Sequence, residues 1–331
     1  MYERIASNTR KSWALMASFV VLIMLVGFGA GLWFGSDYAF YGVAIAAVIA
    51  IAMSWGSYFN SDKIALAMSR AKPADESGYA QYHNIVEGLC IAAGMPKPRL
   101  YVVQDDAPNA FATGRNPEHA AIAVTTGLLA KMNRNELEGV LAHELSHVKN
   151  RDTLVMTLAV TSVGVIILIS DIMLRSMFWG GGRRDRDSGG GAGTLLAILG
   201  IVLLITAPLI AQFLQMAVSR QREFLADADA VFITRYPDGL ISALNKLRDD
   251  QTVVGTASRA TAHLWIESPI ATHAVKGQGM KNTTSSGARL NRMFETHPPL
   301  EMRIEALQKS ALSGAFPPRD LTGEPPPAPG T

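Results

Sequence analysis

The chain has 331 residues, of which 49% are hydrophobic and only 18% are charged. An ordinary soluble domain has about 25% charged residues, so the deficit favours a protein that lies partly in lipid. A formal net charge of +2 gives no large positive field and argues against a nucleic-acid partner, and the single cysteine excludes an internal disulfide framework.

Two uncharged segments near the N-terminus predict a transmembrane hairpin over residues 1–60. Residues 13–34 are long enough to cross the roughly 30 Å hydrocarbon core as a helix, and tryptophans stand at both ends. Only three residues separate them from a second uncharged run at 38–59, which distinguishes the pair from a signal peptide. Basic residues flank the outer ends of the pair, so both ends are expected on the cytoplasmic side.

Residues 154–218 contain a second hydrophobic pair, at 154–174 and 194–218, which includes Asp171. Four arginines lie in the connection, and they contradict the positive-inside tendency if the connection is outside. The pair either spans the membrane despite these charges or lies shallowly against the protein, and spanning is the favoured interpretation. The predicted fold is a mainly α membrane protein with four hydrophobic helices in two hairpins.

Two polar blocks, 61–153 and 219–315, predict one split and mostly helical domain. Residues 100–103 and 120–125 favour two short strands of a small β-sheet. The proline-rich residues 316–331 predict a disordered tail.

The strongest chemical signal lies in a helix predicted to begin at Asn133, which forms a capping-box pattern with Glu136. This helix contains the motif HELSH, in which His143 and His147 lie four residues apart on one face. Zinc accepts two imidazoles and one further side chain and keeps a fourth position for water, whose pKa falls to about 7. Glu144 is the candidate general base that takes the proton from this water.

The third ligand has to come from elsewhere in the chain. A metzincin would place a histidine where Thr153 stands, so that class is excluded, and Asp152 is interpreted as an anchor for the end of the helix. Residues 219–232 offer Glu223 as a ligand, with Asp227 four residues later to orient a ligand imidazole. A surface helix with arginine–glutamate pairs explains the same spacing equally well.

Chain order adds a topological condition on this metal site. His143 and His147 precede the second hydrophobic pair, whereas Glu223 follows it. The three side chains share one side of the membrane only if an even number of spans lies between them. Two spans meet the condition and return the chain to the cytoplasmic face.

After the two N-terminal spans the chain contains four motifs, in the order NAFATGRNP, HELSHVKNRD, REFLAD and THPPLEMRIEAL. With them the chain resembles the HtpX family of bacterial membrane zinc endopeptidases over about residues 1–312. The resemblance implies a gluzincin fold in the bacterial inner membrane, with one Zn²⁺ per chain held by His143, His147 and Glu223 and with Glu144 as the general base. The related prenyl-protein endopeptidases share the core motifs, which implies a supporting role for Asp227.

The same resemblance implies that His297 and Arg303 lie near the substrate or the developing oxyanion. An imidazole there would supply electrostatic stabilisation, but His297 could instead cap or pack the following helix, and Arg303 could equally hold a carboxylate. In the family, the segment at Asn109 and the strand at 121–124 lie beside the cleft, where an exposed edge can hold an extended substrate. From the residues alone they are a turn and a strand.

The favoured interpretation is a membrane-bound zinc endopeptidase whose catalytic domain and both termini face the cytoplasm. The resemblance implies unfolded or misassembled membrane proteins as substrates, and a role in protein quality control and stress response. A processing protease, a silent membrane scaffold with a structural metal and a transporter are the alternatives. Glu144 argues against the scaffold, and the scarcity of ionisable residues in the spans argues against the transporter. The sequence gives no indication of the oligomeric state.

Overall fold

A computed structural model describes residues 2–156, 158, 220–250, 252, 265–266 and 298–313. The predicted second hairpin lies outside the described residues except at 154–156 and 158, and so do His297 and the proline-rich tail. The described helices are α1 (Tyr2–Phe34), α2 (Ala39–Met68), α3 (Ala80–Ala93), α4 (Thr126–Lys131), α5 (Arg134–Lys149), α6 (Arg220–Thr234), α7 (Pro237–Asp249) and α8 (Leu300–Leu312).

The helices α1 and α2 are long and apolar enough to cross a membrane, over Ala6–Gly29 and Ser36–Met68. Both helices extend beyond the uncharged runs, because those runs mark the apolar part of a helix and not the positions where its hydrogen bonding ends. Leu25, Val48 and Trp55 leave more than half of their surface exposed, as lipid-facing side chains do.

Two glycines set the close approach of α1 and α2. A Cβ atom on Gly27 or Gly42 would collide with the opposite helix, so a larger residue at either position would push the pair apart. Phe19 and Ile23 of α1 pack beside Ala50 of α2 in a small buried cluster. The two helices therefore form the first of the predicted hairpins.

The helix α2 bends at Asn60, whose backbone angles of −116° and 17° are not helical. Beyond this kink the helix enters the polar domain, where Ala65 packs in one buried cluster with Phe111. Asp62, which is also buried, pairs with Arg99 of the sheet. The end of α2 is thus fixed to the domain by both apolar and charged contacts.

The domain contains a four-stranded mixed sheet in the order β1-β2-β4-β3. Its strands are β1 (Lys72–Pro73), β2 (Arg99–Val103), β3 (Ala110–Thr113) and β4 (Ala121–Thr125). The central pair, β2 and β4, is parallel and lies where the sequence predicts strands, while β1 and β3 pair antiparallel at the two edges. The strand β3 occupies residues that the sequence alone interprets as a turn, because all four are buried and show no alternation of polar and apolar residues.

The helix α5 lies in the main core of the domain, and its predicted capping box is confirmed. The Asn133 side chain accepts from the Glu136 amide at 3.0 Å, and the Glu136 carboxylate accepts from the Asn133 amide at 2.8 Å. Gly139 allows α7 to pack closely against α5, because a Cβ atom at this position would lie only 2.8 Å from the Leu240 nitrogen. These contacts fix the position of the helix that carries the HELSH motif.

The Glu136 carboxylate joins α5 to α7 as well as capping α5. It accepts hydrogen bonds from Ser242 and Lys246, each at 2.7 Å, and these bonds outweigh the effect of burial and hold the pKa of Glu136 below its ordinary value. Glu136→Ala is expected to lower the free energy of unfolding by about 1–3 kcal/mol, because the cap and the links to α7 are lost together. Thermal denaturation in detergent measures the change.

The matched control is Glu305→Ala, which removes an exposed carboxylate that pairs with Lys309 one turn away. Its denaturation midpoint is expected to stay close to that of the unmodified chain. Equal losses in the two variants would show that the Glu136 contacts do not stabilise the fold.

Candidate metal centre

His143, His147 and Glu223 meet in the interior of the domain. One ligand atom from each lies within 4.8 Å of the others, and the exposed fractions of the three residues are 1%, 6% and 1%. The two histidine Nε2 atoms are 3.2 Å apart, and each lies 3.6 Å from an oxygen of Glu223. Lone pairs aimed at one point repel each other unless a proton or a cation lies between them, so this donor set fits a divalent metal ion.

Helix geometry brings the three side chains together. His143 and His147 lie one turn apart on α5, with ring centroids 4.7 Å apart and ring planes at 89°. Glu223 and Asp227 share the buried face of α6 with Ala226 and Ala230. Because this face packs against α5, the carboxylate of Glu223 reaches both imidazoles.

Each of the two imidazoles also contacts a carboxylate through Nδ1. The Oδ1 atom of Asp227 lies 2.9 Å from Nδ1 of His143, and the Oδ2 atom of Asp152 lies 3.3 Å from Nδ1 of His147. An acceptor at Nδ1 holds the proton there and leaves the lone pair of Nε2 for a metal ion.

The contact between Asp152 and His147 goes beyond the role that the sequence assigns to Asp152. The sequence-based interpretation placed Asp152 on the same helical pattern as the HELSH motif and made it an anchor for the end of that helix. In the structure α5 ends at Lys149, and Arg151 adopts a left-handed conformation with φ of 56°. This turn redirects the chain so that Asp152 reaches back to the imidazole, an effect that helical spacing does not reveal.

Arg303 of α8 is fully buried and binds Asp227 through two nitrogens. The Nε atom donates to Oδ2 at 2.9 Å, and Nη2 donates to Oδ1 at 2.6 Å. Burial raises the pKa of Asp227, but the guanidinium outweighs it and holds the pKa below its ordinary value. The same guanidinium also lies beside the candidate ligands, with Nη2 3.2 Å from Nδ1 of His143 and Nη1 3.5 Å from an oxygen of Glu223. The structure thus places Arg303 against the ligand cluster as well as against the Asp227 carboxylate.

Glu144 is 3% exposed and lines a small cavity together with both histidines and Ala112 of β3. Asn109 lies directly before β3, where its side-chain oxygen accepts from the Ala110 amide at 3.0 Å. The structure therefore brings Glu144 to the ligand cluster, while Asn109 lies at the start of strand β3 and is not among the residues that line this cavity. His297 lies outside the described residues.

Residues 76–311, more than half of the chain, match the model of peptidase family M48. The chain belongs to peptidase family M48. Its relatives include proteins named Protease HtpX homolog, so the resemblance predicted from the sequence is confirmed. The M48 family is one of metallopeptidases, and the His-His-Glu cluster provides a place for the metal.

Two of these relatives show how far the similarity extends. The protein from Caldanaerobacter subterraneus subsp. tengcongensis is 43% identical over 94% of this M48 chain and 98% of its own length. The protein from Streptococcus gordonii is 42% identical over 93% of this chain and 99% of its own. Among solved structures, the crystal structure of S. mikatae Ste24p matches with a TM-score of 0.45 and 17% sequence identity. The match covers 93% of the chain described here and 67% of the Ste24p chain.

The imidazole of His147 predicts a pH dependence of metal binding. Burial lowers its pKa, but the hydrogen bond with Asp152 and the nearby Glu223 carboxylate outweigh burial and raise the pKa to about 9 from 6.5. A metal ion binds the neutral ring, so binding below about pH 9 releases a proton. The apparent affinity for a divalent metal ion is expected to rise by up to about tenfold per pH unit towards this value and then to level off.

Chelator competition at a series of pH values measures this affinity, and a flat profile from pH 6.5 to 9 would contradict the expectation. In the metal-free protein the same raised pKa predicts the opposite trend: the stability of the fold decreases as the pH rises. Because the pKa of His147 is raised in the folded state, its contribution to stability is complete below pH 6.5 and is lost as the pH rises through about 9.

Proposed function

We propose that this chain is a membrane-bound zinc endopeptidase. The observation that carries the proposal is the buried His143–His147–Glu223 cluster with Glu144 beside it, in a chain of a metallopeptidase family. Two imidazoles and one carboxylate that leave a coordination position open are the donor set of catalytic zinc sites, and we propose one Zn²⁺ per chain.

When bound, zinc supplies a Lewis acid that polarises the scissile carbonyl and lowers the pKa of a water molecule. Glu144 accepts the proton from the attacking water and delivers it to the leaving amine. The carboxylates of Asp227 and Asp152 keep the Nε2 atoms of the two histidines directed towards the centre of the cluster.

Arg303 acts in this proposal by holding Asp227, because its two short contacts already go to that carboxylate. The support of the developing oxyanion is assigned to His297. An extended substrate would pair with the outer edge of β3 at Ala112, which adjoins the cavity at Glu144. At the start of the strand, after Asn109, the carbonyl oxygen of Ala110 already accepts from the Ile266 amide at 3.0 Å.

We propose that the domain and both termini lie on the cytoplasmic side of the bacterial inner membrane. Both ends of the first hairpin contact the same domain, since Asn8 of α1 binds Asn150 and Asp62 of α2 pairs with Arg99. The basic residues that flank the hairpin support the cytoplasmic assignment. A second hairpin at 154–218 that crosses the membrane would leave α6 on this side as well.

The proposed substrates are unfolded or misassembled membrane proteins, cleaved as part of protein quality control and the stress response. Asn8, near the polar N-terminal end of α1, contacts Asn150 and Asp152 directly after α5, which carries the two histidines. This contact supports a site close to the bilayer surface. A processing protease that cuts one partner is the alternative, and cleavage of a peptide library separates the two. A single sharp consensus would favour processing, whereas broad cleavage would favour quality control.

The catalytic role of Glu144 is tested with Glu144→Gln in detergent-purified, zinc-loaded protein that is given a chemically unfolded protein as substrate. Both proteins are expected to bind one zinc, while cleavage falls by about 10²–10⁴-fold because the proton acceptor is lost. Glu138→Gln, a partly exposed position on the same helix, is the control and should cleave normally. Zinc binding without cleavage by the unmodified chain would favour the structural-metal scaffold instead.

The orientation is tested by single-cysteine labelling of spheroplasts with a membrane-impermeant thiol reagent. Cys90 is replaced by alanine for this purpose, although burial already raises the pKa of its thiol to about 11. A cysteine at Ser36 is expected to react, whereas one at Glu118 should react only after the membrane is opened. Reaction at Ser188 in intact spheroplasts would support two crossings by the second hairpin, and reaction at Glu118 would overturn the orientation.

A further inference from the structure

The N-terminal end of α1 reaches the carboxylate that supports His147. Asn8 is buried, with 6% of its surface exposed, and its Nδ2 atom donates to Oδ1 of Asp152 at 2.7 Å. The other oxygen of Asp152 lies 3.3 Å from Nδ1 of His147. A side chain of a membrane helix is thus connected to a candidate metal ligand through a single carboxylate.

Asn8 also fixes the backbone of the turn that carries Asp152. The same Nδ2 atom donates to the carbonyl oxygen of Asn150 at 2.8 Å, so its two protons hold both sides of the turn. Asn150 is held in addition by Asp229 of α6, at 2.9 Å. The turn is therefore held between α1 and α6, and Asp152 has little freedom to move away from His147.

The charge of Asp152 requires these contacts. The residue is 3% exposed, and a buried carboxylate is costly unless donors surround it. Arg222 of α6 supplies positive charge, with Nη1 at 3.6 Å from Oδ1, but Asn8 supplies the shorter contact to the same oxygen. The neutral amide thus directs one oxygen without competing with His147 for the other.

We propose that Asn8 and Asp152 are positioning residues for His147, so that α1 forms part of the metal centre in addition to crossing the membrane. Asp152 acts through the tautomer and orientation of the imidazole, and Asn8 acts through Asp152. The inference rests on the proposed function, since it takes His147 as a ligand of the ion.

The first measurement is zinc affinity by chelator competition on the full chain in detergent. Asp152→Asn is expected to weaken binding by about 10–100-fold, the usual effect of losing a carboxylate that supports a ligand histidine. Asn8→Ala is expected to weaken it by about fivefold, equivalent to one lost hydrogen bond of about 1 kcal/mol.

Ser12→Ala is the matched control on the same helix. Ser12 is buried one turn after Asn8, and its hydroxyl donates to the Asn8 carbonyl oxygen at 3.0 Å. The variant removes a buried hydrogen bond of α1 and keeps the amide that contacts Asp152. Zinc affinity and the visible spectrum of the cobalt-substituted protein should both stay as in the unmodified chain, whereas Asn8→Ala should change both.

A double-variant cycle tests whether Asn8 acts through Asp152. In an Asp152→Ala background, which has no side-chain oxygen to accept from Asn8 or from His147, Asn8→Ala is expected to cause no further loss of zinc affinity. If the losses of zinc affinity in the two single variants add up in the double variant, Asn8 does not act through Asp152 and the proposal is overturned. Should Asp152→Asn or Asp152→Ala fail to fold, the comparison of Asn8→Ala with Ser12→Ala carries the test, with thermal midpoints to separate unfolding from weakened binding.

The outcomes separate this inference from the proposed function. If the unmodified chain binds zinc and loses cleavage on Glu144→Gln, while Asn8→Ala has normal affinity and an unchanged cobalt spectrum, the positioning role is wrong and the function stands. If the unmodified chain binds no zinc, both the function and the positioning role are wrong.

Discussion

The structure depends on the burial of several charged and lone-pair-bearing groups at one point. Two imidazoles and a carboxylate converge where little water reaches, and such groups are costly to bury without compensation. The compensation lies around them: Arg303 neutralises Asp227, and Asp152 is shared between Asn8, Arg222 and His147. Side chains from α1, α6 and α8 thus meet at α5 and the turn that follows it.

This arrangement makes the domain cooperative. The helix α5 contributes two candidate ligands, α6 contributes the third ligand and one supporting carboxylate, and α8 contributes the guanidinium. Loss of any one helix would leave a buried charge on another without its partner, so the helices are stable together and not separately. The apolar core around Leu141 and Leu244 adds to the same dependence.

The sequence predicts those features that depend on local spacing. The cap at Asn133 and the two N-terminal helices that are apolar enough to cross a membrane are confirmed. The i, i+4 spacing of His143 and His147 also predicts that both imidazoles share one face of α5. Spacing alone leaves Glu223 undecided, because a surface helix explains its position equally well. The sequence does not predict the strand β3 or the contact of Asp152 with His147, and each omission has a physical reason. A short, fully buried strand has no alternation to detect, and Asp152 reaches His147 through a left-handed turn. The contact of Asn8 joins residues 144 positions apart, which no local pattern encodes.

The position of α8 in the chain has a consequence for the timing of assembly. The three candidate ligands are all synthesised before Arg303, which lies in the last described helix. While the chain is still on the ribosome, His143 and Asp227 can meet, but the guanidinium that fixes their geometry has not yet emerged. The nascent chain therefore acquires a fully ordered centre only after the helix that carries Arg303 has been synthesised and has packed against the domain.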